Sequence, residues 1–375
     1  MGLEKQRKIN IYFFIGVTGE LIKHAPIIKE FQLRKIPFKI ISSGQSKIHF
    51  DELIDYIGLM RADIAFPEKA NKSSMFFFIF WVFKTLLIAP GRLNQELKGL
   101  KKGDTYFIVQ GDTVSSLVGA IIAKLFLGVK LIHNESGLSS GNLLIPFPEE
   151  ICRNIIWRLA DVLTPQNSWA KGNLKRIKAA KLNTKQNTLI ESYQWAINTP
   201  GTPSEIAKFG RYYYLFMHRQ EHVIFRKEYS KKTLEFVIKN ADPRLKCVLL
   251  NNPLTTSVVG SLSKTWDPDI QKRVIIAPRF PYKDFMKLLK NAEFLATDSA
   301  TNQIESYYMG VPYLGLRDRT ENMEGLNENA ILAKDNKRTI KGFLRNYKRY
   351  RRPPLVIEKN PSKIIVDYLV DHEWS

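Results

Sequence analysis

The chain predicts an α/β fold: two Rossmann-like, doubly wound domains in series, facing a central cleft. Three observations point there. Short apolar runs rich in β-branched and aromatic residues alternate with helical periodicity along the chain. The alternation weakens between about Lys181 and Lys208, where turn residues gather in Asn198-Thr-Pro-Gly-Thr-Pro203, and then restarts. Polar and charged residues collect where the apolar runs stop, and in an open parallel sheet those positions face the ligand crevice. A length of 375 residues and a hydrophobic content of 44% suffice for two domains with cores of their own. The expected division is 1–200 and 201–360, with a last helix over 361–375.

Asn10 to Ile15 is a short buried strand that breaks at Gly16-Val-Thr-Gly19 and enters a helix through Glu20 and Lys23. A turn of this kind can set backbone N–H groups against a phosphate or sugar, although its spacing matches neither G-x-G-x-x-G nor a Walker loop. Phe38 to Ser42 is the next strand. Met75 to Ala89 is apolar except for Lys84 and Thr85, yet shorter than the ~20 residues of a spanning helix. It is expected to be a buried helix or one lying against a bilayer surface.

The stretch from Tyr106 to Asn154 is a β-α-β-loop-α unit. The strand Tyr106 to Gln110 breaks at Gly111-Asp112-Thr113, and a small-residue helix runs from Ser115 to Phe126. A second strand, Val129 to His133, stops at Asn134-Glu135-Ser136-Gly137, and after a loop Pro146-Phe-Pro-Glu149-Glu150 opens a helix carrying Arg153. Asp112, His133, Glu135, Glu149 and Arg153 thus fall where strands end or helices begin. Three carboxylates and a guanidinium in one crevice suit proton transfer on a bound, anionic substrate. Simpler roles exist: Asp112 in a G-D-T turn is good capping chemistry, and Glu149 in a first turn is favoured by the helix dipole. Glu135 is harder to assign to a structural role, because Glu has no special turn propensity directly after an apolar strand. Asp161 to Pro165 and a helix from Ser168 complete the first half.

In the second half the strands are Tyr212 to Met217, Val248 to Asn251, Val274 to Ala277, Phe294 to Thr297 and Pro312 to Gly315, with helices near 226–239, 282–291, 302–309 and 338–347. His218-Arg219-Gln220-Glu221 follows the first of these strands directly. Ser299, after Thr297-Asp298, can cap the next helix, whose free N–H groups form an anion site suited to a diphosphate, with Glu305 placed to reach a ribose. Arg317-Asp-Arg-Thr-Glu321 follows the last strand.

A net charge of +21 favours anionic partners. The run from Lys337 to Arg352 holds many basic residues and no acid, which fits either a solvated face or an anionic surface. Nucleic acid is not expected, since no zinc, RRM, KH or helix-turn-helix signature accompanies the charge. Cys152 and Cys247 lie far apart without metal or redox spacing, so a reducing compartment and no metal are expected. The first apolar run is too short and wrongly flanked for a secretory signal, and Gln6 argues against N-myristoylation. The expected location is the cytoplasm, with a peripheral contact at the inner membrane face. The oligomeric state is open, a homodimer included.

These blocks resemble, in order and over most of the chain, the non-hydrolysing UDP-N-acetylglucosamine 2-epimerases, which have two Rossmann-like domains in the glycosyltransferase-B (GT-B) arrangement. The resemblance rests on Gly16…Glu20…Lys23, Gly111-Asp112-Thr113, His133-x-Glu135-x-Gly137-Leu138, Pro146-x-Pro148-Glu149-Glu150-x-x-Arg153, His218-Arg219-Gln220-Glu221, Thr297-Asp298-Ser299 with Glu305, and Arg317-Asp318. It implies that Asp112, Glu135, Glu149 and His218 are catalytic, that Lys23, Arg153, Arg219, Ser299 and Glu305 hold a UDP-sugar, and that the last helix crosses back onto the first domain. It also implies elimination of UDP, a glycal intermediate and re-addition, without metal or nicotinamide. The chain departs from the family's pattern at Thr18-Gly19, where Arg-Pro is usual, at Ser139 in place of an arginine, and at Ala300-Thr301 in place of Gly-Gly. Those departures concern how sugar and diphosphate are held. One rival expectation is a membrane-associated GT-B glycosyltransferase with a UDP-sugar donor and lipid-linked acceptor, favoured by the charge and the 75–89 segment. A sensor without catalysis is a second, against which the intact acid–base positions count.

Overall fold

The computed structural model describes residues 9–68, 75–143, 146–201, 203–219, 226–251, 260, 266–357 and 359–371. Two compact units divide the chain: Met1–Ser192 with Ile357–Ser375, and Tyr193–Val356. Each holds an all-parallel sheet.

The first sheet has seven strands: β1 (Asn10–Ile15), β2 (Phe38–Ser42), β3 (Ile64–Ala65), β4 (Thr105–Gln110), β5 (Lys130–Asn134), β6 (Val162–Thr164) and β7 (Ala180–Lys181), in the order β3-β2-β1-β4-β5-β6-β7. Apolar residues on both faces, such as Phe13, Phe14, Phe107 and Ile108, are fully buried, as a sheet covered by helices on both sides requires. The strand order reverses between β1 and β4. By the general rule for such sheets, the crevice at their carboxyl ends is the ligand position. Helix α1 (Thr18–Leu33) follows β1 there, and Val114–Ile121, here α3, follows β4. Between them lies α2 (Met75–Glu96).

Helix α2 resolves the two expectations for its segment in an unequal way. Its inner side is core, with Trp81, Thr85, Ala89 and Leu93 buried and the Trp81 indole N–H donating to the Ser43 carbonyl at 3.0 Å. Its outer side leaves Phe76, Phe80, Phe83 and Leu87 exposed. The small-residue helix expected from Ser115 to Phe126 changes character: α3 gives way to a π-helical turn over Ile122–Leu127, which turns Leu125 and Phe126 outward.

The stretch where the alternation weakens, 181–208, contains a helix, α6 (Leu189–Asn198), after α4 (Glu149–Leu159) and α5 (Ser168–Asn173). Leu189, Ile190, Tyr193 and Ala196 form a buried stripe at helical spacing, and the surrounding turn residues masked it.

The second sheet runs β10-β9-β8-β11-β12-β13, made of β8 (Tyr212–Phe216), β9 (Lys246–Leu250), β10 (Val274–Ala277), β11 (Leu295–Thr297), β12 (Tyr313–Gly315) and β13 (Ala330–Leu332). Its order reverses between β8 and β11, so the segments after those two strands flank its crevice. Helices α7 (Lys227–Asn240), α8 (Tyr282–Asn291), α9 (Ala300–Met309) and α10 (Lys337–Asn346) fall close to the expected positions. In α10, Ile340, Phe343 and Leu344 are buried, so the basic residues of that helix form its outer face. The last helix, α11 (Pro361–Asp371), packs on α1 in the first unit, where Arg34 pairs with Asp367 at 2.5 Å.

Candidate functional site

Glu135 is the most constrained of the predicted site residues. It follows β5 directly, and its backbone is left-handed, φ 60°. That conformation costs a β-carbon-bearing residue about 1–2 kcal/mol, so neighbouring contacts must hold it. They do: Lys23 Nζ lies 2.5 Å from Oε2, the Gln110 amide donates to Oε2 at 2.6 Å, and the Asn187 amide donates to Oε1 at 2.6 Å. The carboxylate is nearly buried, its side chain 5% exposed. Gly111 makes room for it, since a β-carbon there would stand 3.2 Å from Oε2 on a backbone with φ +64°.

The supporting amides form a network of their own. Asn134 donates to Gln110 Oε1 at 2.7 Å and accepts from Thr164, while Asn187 also donates to Gln166 at 2.6 Å. Lys23 therefore enters the site as the counter-ion of Glu135. Gln110 and Asn187 were not anticipated from sequence.

Asp112 follows β4, the strand beside β5, and is bound by the guanidinium of Arg153 on α4. Arg153 is itself buried and donates to Glu150 at 2.8 Å. The other contacts of Glu150 come from Ser140 N–H at 2.6 Å and Ser139 Oγ at 3.1 Å, so the serine at the departure from the family's arginine is part of this chain of contacts. Glu149 is the first residue of α4, partly buried, where the helix N-terminus favours negative charge. The Cys152 thiol, behind these groups, is pushed up to about 12 by burial and by the nearby charges of Asp112 and Glu149.

Two buried histidines and a glutamate complete this end of the sheet. His133 donates from Nε2 to the Gly111 carbonyl at 2.6 Å, and burial pushes its ring down to about 4, so it is neutral and braces the Gly111 turn. His24 on α1 lies edge-on to Phe13 and is pushed down to about 3 by burial. Glu20 collects the Gly16 N–H at 2.5 Å and the hydroxyls of Thr113 and Ser116 at 2.5 and 2.9 Å, tying the turn after β1 to the turn after β4. Burial raises its carboxyl against the pull of those donors. Thr18, where the family has arginine, accepts the His49 N–H at 3.0 Å.

In the second unit, His218 follows β8 with its ring stacked on Phe216, centroids 5.1 Å apart. Its Nδ1 is 2.9 Å from Asp298 Oδ1, which leaves Nε2 as the nitrogen available to a ligand. Asp298, fully buried after β11, also accepts the backbone N–H groups of His218 and Arg219 at 3.2 and 3.0 Å, and so fixes one side of this crevice to the other. Gln220 and Glu221 lie outside the described residues. Arg219 pairs with Glu321 at 2.7 Å, and Glu321 in turn accepts from Arg317 at 3.1 Å. Ser299 caps α9 by accepting the Asn302 N–H at 3.2 Å, and Glu305 on the same helix accepts from the Asn302 amide at 2.7 Å. Ala300 and Thr301 form the first turn of α9, the part of the helix whose N–H groups an anion would meet.

Each unit thus gathers polar groups at its switch point, in the first carboxylates paired with a lysine and an arginine, in the second a histidine, two arginines and a helix N-terminus. The sequence model of the UDP-N-acetylglucosamine 2-epimerases matches residues 101–354. A UDP-N-acetylglucosamine 2-epimerase of Methanocaldococcus jannaschii is 28% identical over 374 residues, 95% of this chain and 98% of that protein. A UDP-2,3-diacetamido-2,3-dideoxy-D-glucuronate 2-epimerase of Pseudomonas aeruginosa is 28% identical over 242 residues, 62% of this chain and 65% of that protein. The crystal structure of the M. jannaschii UDP-GlcNAc 2-epimerase with UDP-GlcNAc and UDP superposes with a TM-score of 0.79 at 24% identity, covering 96% of this chain and 99% of that one. Fold, motif order and family match agree: the chain has the two-domain GT-B-type fold, belongs to the UDP-N-acetylglucosamine 2-epimerase family, and is a sugar-nucleotide epimerase.

Proposed function

We propose that this enzyme is a cytoplasmic UDP-N-acetylhexosamine 2-epimerase that acts by eliminating and re-adding UDP, in the supply of sugar nucleotides for surface polysaccharide. The observation that carries the reading is the set of carboxylates at the first switch point. Glu135 is gripped by three donors and Asp112 is held by Arg153, so both are fixed before any substrate arrives.

In this mechanism a carboxylate removes the C2 proton of the sugar as the C1–O bond to UDP breaks, which leaves a glycal and free UDP. UDP then returns to C1 while a proton is delivered to the opposite face of C2. Two faces need two proton carriers, and the carboxylates they are drawn from are Glu135, Asp112 and Glu149. We assign His218, whose Nδ1 lies 2.9 Å from Asp298, and Arg219 to the leaving diphosphate, where their charge offsets the charge that grows on it. Ser299 and the first turn of α9 receive the diphosphate, and Glu305 receives the ribose. Lys23 and Arg153 serve this substrate through the carboxylates they hold.

Incubation with UDP-GlcNAc in D₂O tests the reading, with the sugar H2 signal followed by proton NMR. Loss of H2, together with some free UDP and glycal, is expected. Glu135→Gln should nearly abolish exchange while leaving UDP affinity within a few fold, since a base acts mainly in the transition state. No exchange with UDP-GlcNAc, UDP-GalNAc or UDP-ManNAc would overturn it.

A further inference from the structure

The carboxylate of Glu135 is held unevenly. Its Oε2 takes two donors, the Lys23 ammonium at 2.5 Å and the Gln110 amide at 2.6 Å, while its Oε1 takes one, the Asn187 amide at 2.6 Å. Each oxygen of a carboxylate offers two lone-pair sites. Both sites of Oε2 are therefore engaged, and one site of Oε1 is open. A proton placed on Oε2 would displace one of its donors and lie against the Lys23 ammonium. A proton placed on Oε1 leaves both of those contacts as they are.

We infer that Glu135 exchanges its proton with C2 of the sugar through Oε1, and that Asn187 is the positioning residue that aims this oxygen. In the forward step the C2–H bond breaks and an O–H bond forms at Oε1. The electron pair of the C2–H bond becomes the second C1–C2 bond of the glycal, and the pair of the C1–O bond leaves with UDP. Oε2 stays on Lys23 and Gln110 throughout.

Asn187 suits this task because its amide is fixed in one sense. Its Oδ1 accepts the Leu189 N–H at 2.9 Å, and its amide also donates to Gln166 Oε1 at 2.6 Å. A flipped amide would set an acceptor against the oxygens of Glu135 and Gln166 and a donor against the Leu189 N–H. Asn187 and Gln166 are both buried, which keeps water from competing for these bonds. The start of α6 is in turn tied to α1, the helix that carries Lys23. The Thr188 hydroxyl donates to the Lys23 carbonyl and the Ser192 hydroxyl to the Ile22 carbonyl, each at 2.6 Å. The holder of Oε1 and the cation on Oε2 are thereby fastened to one another. Glu135 has a left-handed backbone that its contacts sustain, so an oxygen with a single donor depends on that donor for its aim.

This inference rests on the proposed reaction, with Glu135 as a proton carrier. The test measures kcat and KM for epimerisation of UDP-GlcNAc carrying protium or deuterium at C2. It compares the wild-type chain with Asn187→Asp, Asn187→Leu and Gln110→Met, and calorimetry gives the UDP affinity of each. Asn187→Asp keeps the shape and turns the donor into an acceptor, whereas Asn187→Leu removes it. Each should lower kcat by about 100-fold, the usual effect of displacing a reacting group by about 1 Å. KM and UDP affinity should stay within about threefold, and the deuterium effect on kcat should rise as proton transfer becomes the slow step. Gln110→Met should lose at most about tenfold, because Lys23 still holds Oε2. An equal loss in Gln110→Met and Asn187→Leu would give the reaction to Oε2 and overturn the inference. Loss of UDP binding along with kcat in both Asn187 variants, or an unchanged deuterium effect, would make Asn187 a structural residue and also overturn it. Wild-type turnover that persists at full kcat in the Asn187 variants overturns this inference alone, whereas a wild-type chain that exchanges no H2 overturns the proposed reaction and this inference with it.

Discussion

Replacing Lys23 with methionine removes the cation beside Glu135 while keeping the length of the side chain. Two unit charges 2.5 Å apart attract by about 6–7 kcal/mol at an effective dielectric of ~20, before the cost of taking both from water is subtracted. Removing one member of such a pair usually costs about 3–5 kcal/mol, because the other is left buried and uncompensated. Glu135 would keep the amides of Gln110 and Asn187, both at 2.6 Å, so the expected cost lies at the low end, about 3 kcal/mol. That cost is available to disturb the left-handed backbone at Glu135, which only its contacts sustain. If about 2.7 kcal/mol of it appears in the transition state, kcat falls about 100-fold. The assay pairs kcat for H2 exchange with UDP affinity by calorimetry. Lys23→Met should lower kcat, leave UDP affinity within a few fold and reduce Tm, and Lys23→Arg should restore part of both. A variant with kcat within threefold of wild type and a raised KM would refute this reasoning and make Lys23 a substrate contact.

The anchor of α11 gives a pH prediction. Glu191 accepts from the backbone N–H and hydroxyl of Ser362 at 2.8 and 2.6 Å, and burial pushes its carboxyl from 4.5 up to about 7. A folded-state value above the unfolded one supplies stability that is complete below about 4.5 and lost as pH rises through about 7, up to about 3 kcal/mol. Glu191→Gln should therefore match wild type in urea unfolding at pH 4.5 and exceed it at pH 8; equal curves at both pH values would remove the assignment. Gly137 makes a separate prediction, because its φ of +84° and the Ala170 carbonyl oxygen 2.2 Å from where a β-carbon would lie leave no room for a side chain. Gly137→Ala should cost about 2 kcal/mol or more, seen as a lower Tm, and should also slow turnover, since the turn carries Glu135.

The positions of the crevice residues were legible where they followed an apolar run directly. Asp112, Glu135, His218 and Ser299 all stand within a few residues of a strand's end, and a strand's end in a parallel sheet is a functional position. Their partners were not legible, for a physical reason. Gln110 is the last residue of a buried strand, and Asn187 lies 52 residues from the carboxylate it holds, so neither carries a local signal. Asp298 and Glu321 were visible as charges, but their roles as the grips on His218 and Arg219 depend on contacts across 80 and 102 residues of chain. Helix α6 was hidden by composition, because turn-forming residues on both sides diluted a buried stripe of Leu189, Ile190, Tyr193 and Ala196. The aromatic segment 75–89 was legible as a helix, whereas which of its sides the core would claim depended on where Ser43 and the Ile122–Leu127 turn would lie.

The return of α11 to the first unit has a consequence for synthesis on the ribosome. Ile365, Val366 and Leu369 are buried there, and Asp367 and Ser362 engage Arg34 and Glu191, residues made more than 170 positions earlier. The nascent first unit must therefore wait, with the α1 surface that α11 covers still open, while all of Tyr193–Val356 is translated. The intervening unit is contiguous in sequence and can complete its own sheet during that interval. The order of completion is thus the reverse of the order of translation: the acid–base crevice belongs to the unit that starts first and finishes last. A chain interrupted anywhere before α11 exposes an apolar seam on α1, which gives quality-control proteases and chaperones a means of recognising it before it can bind a nucleotide sugar.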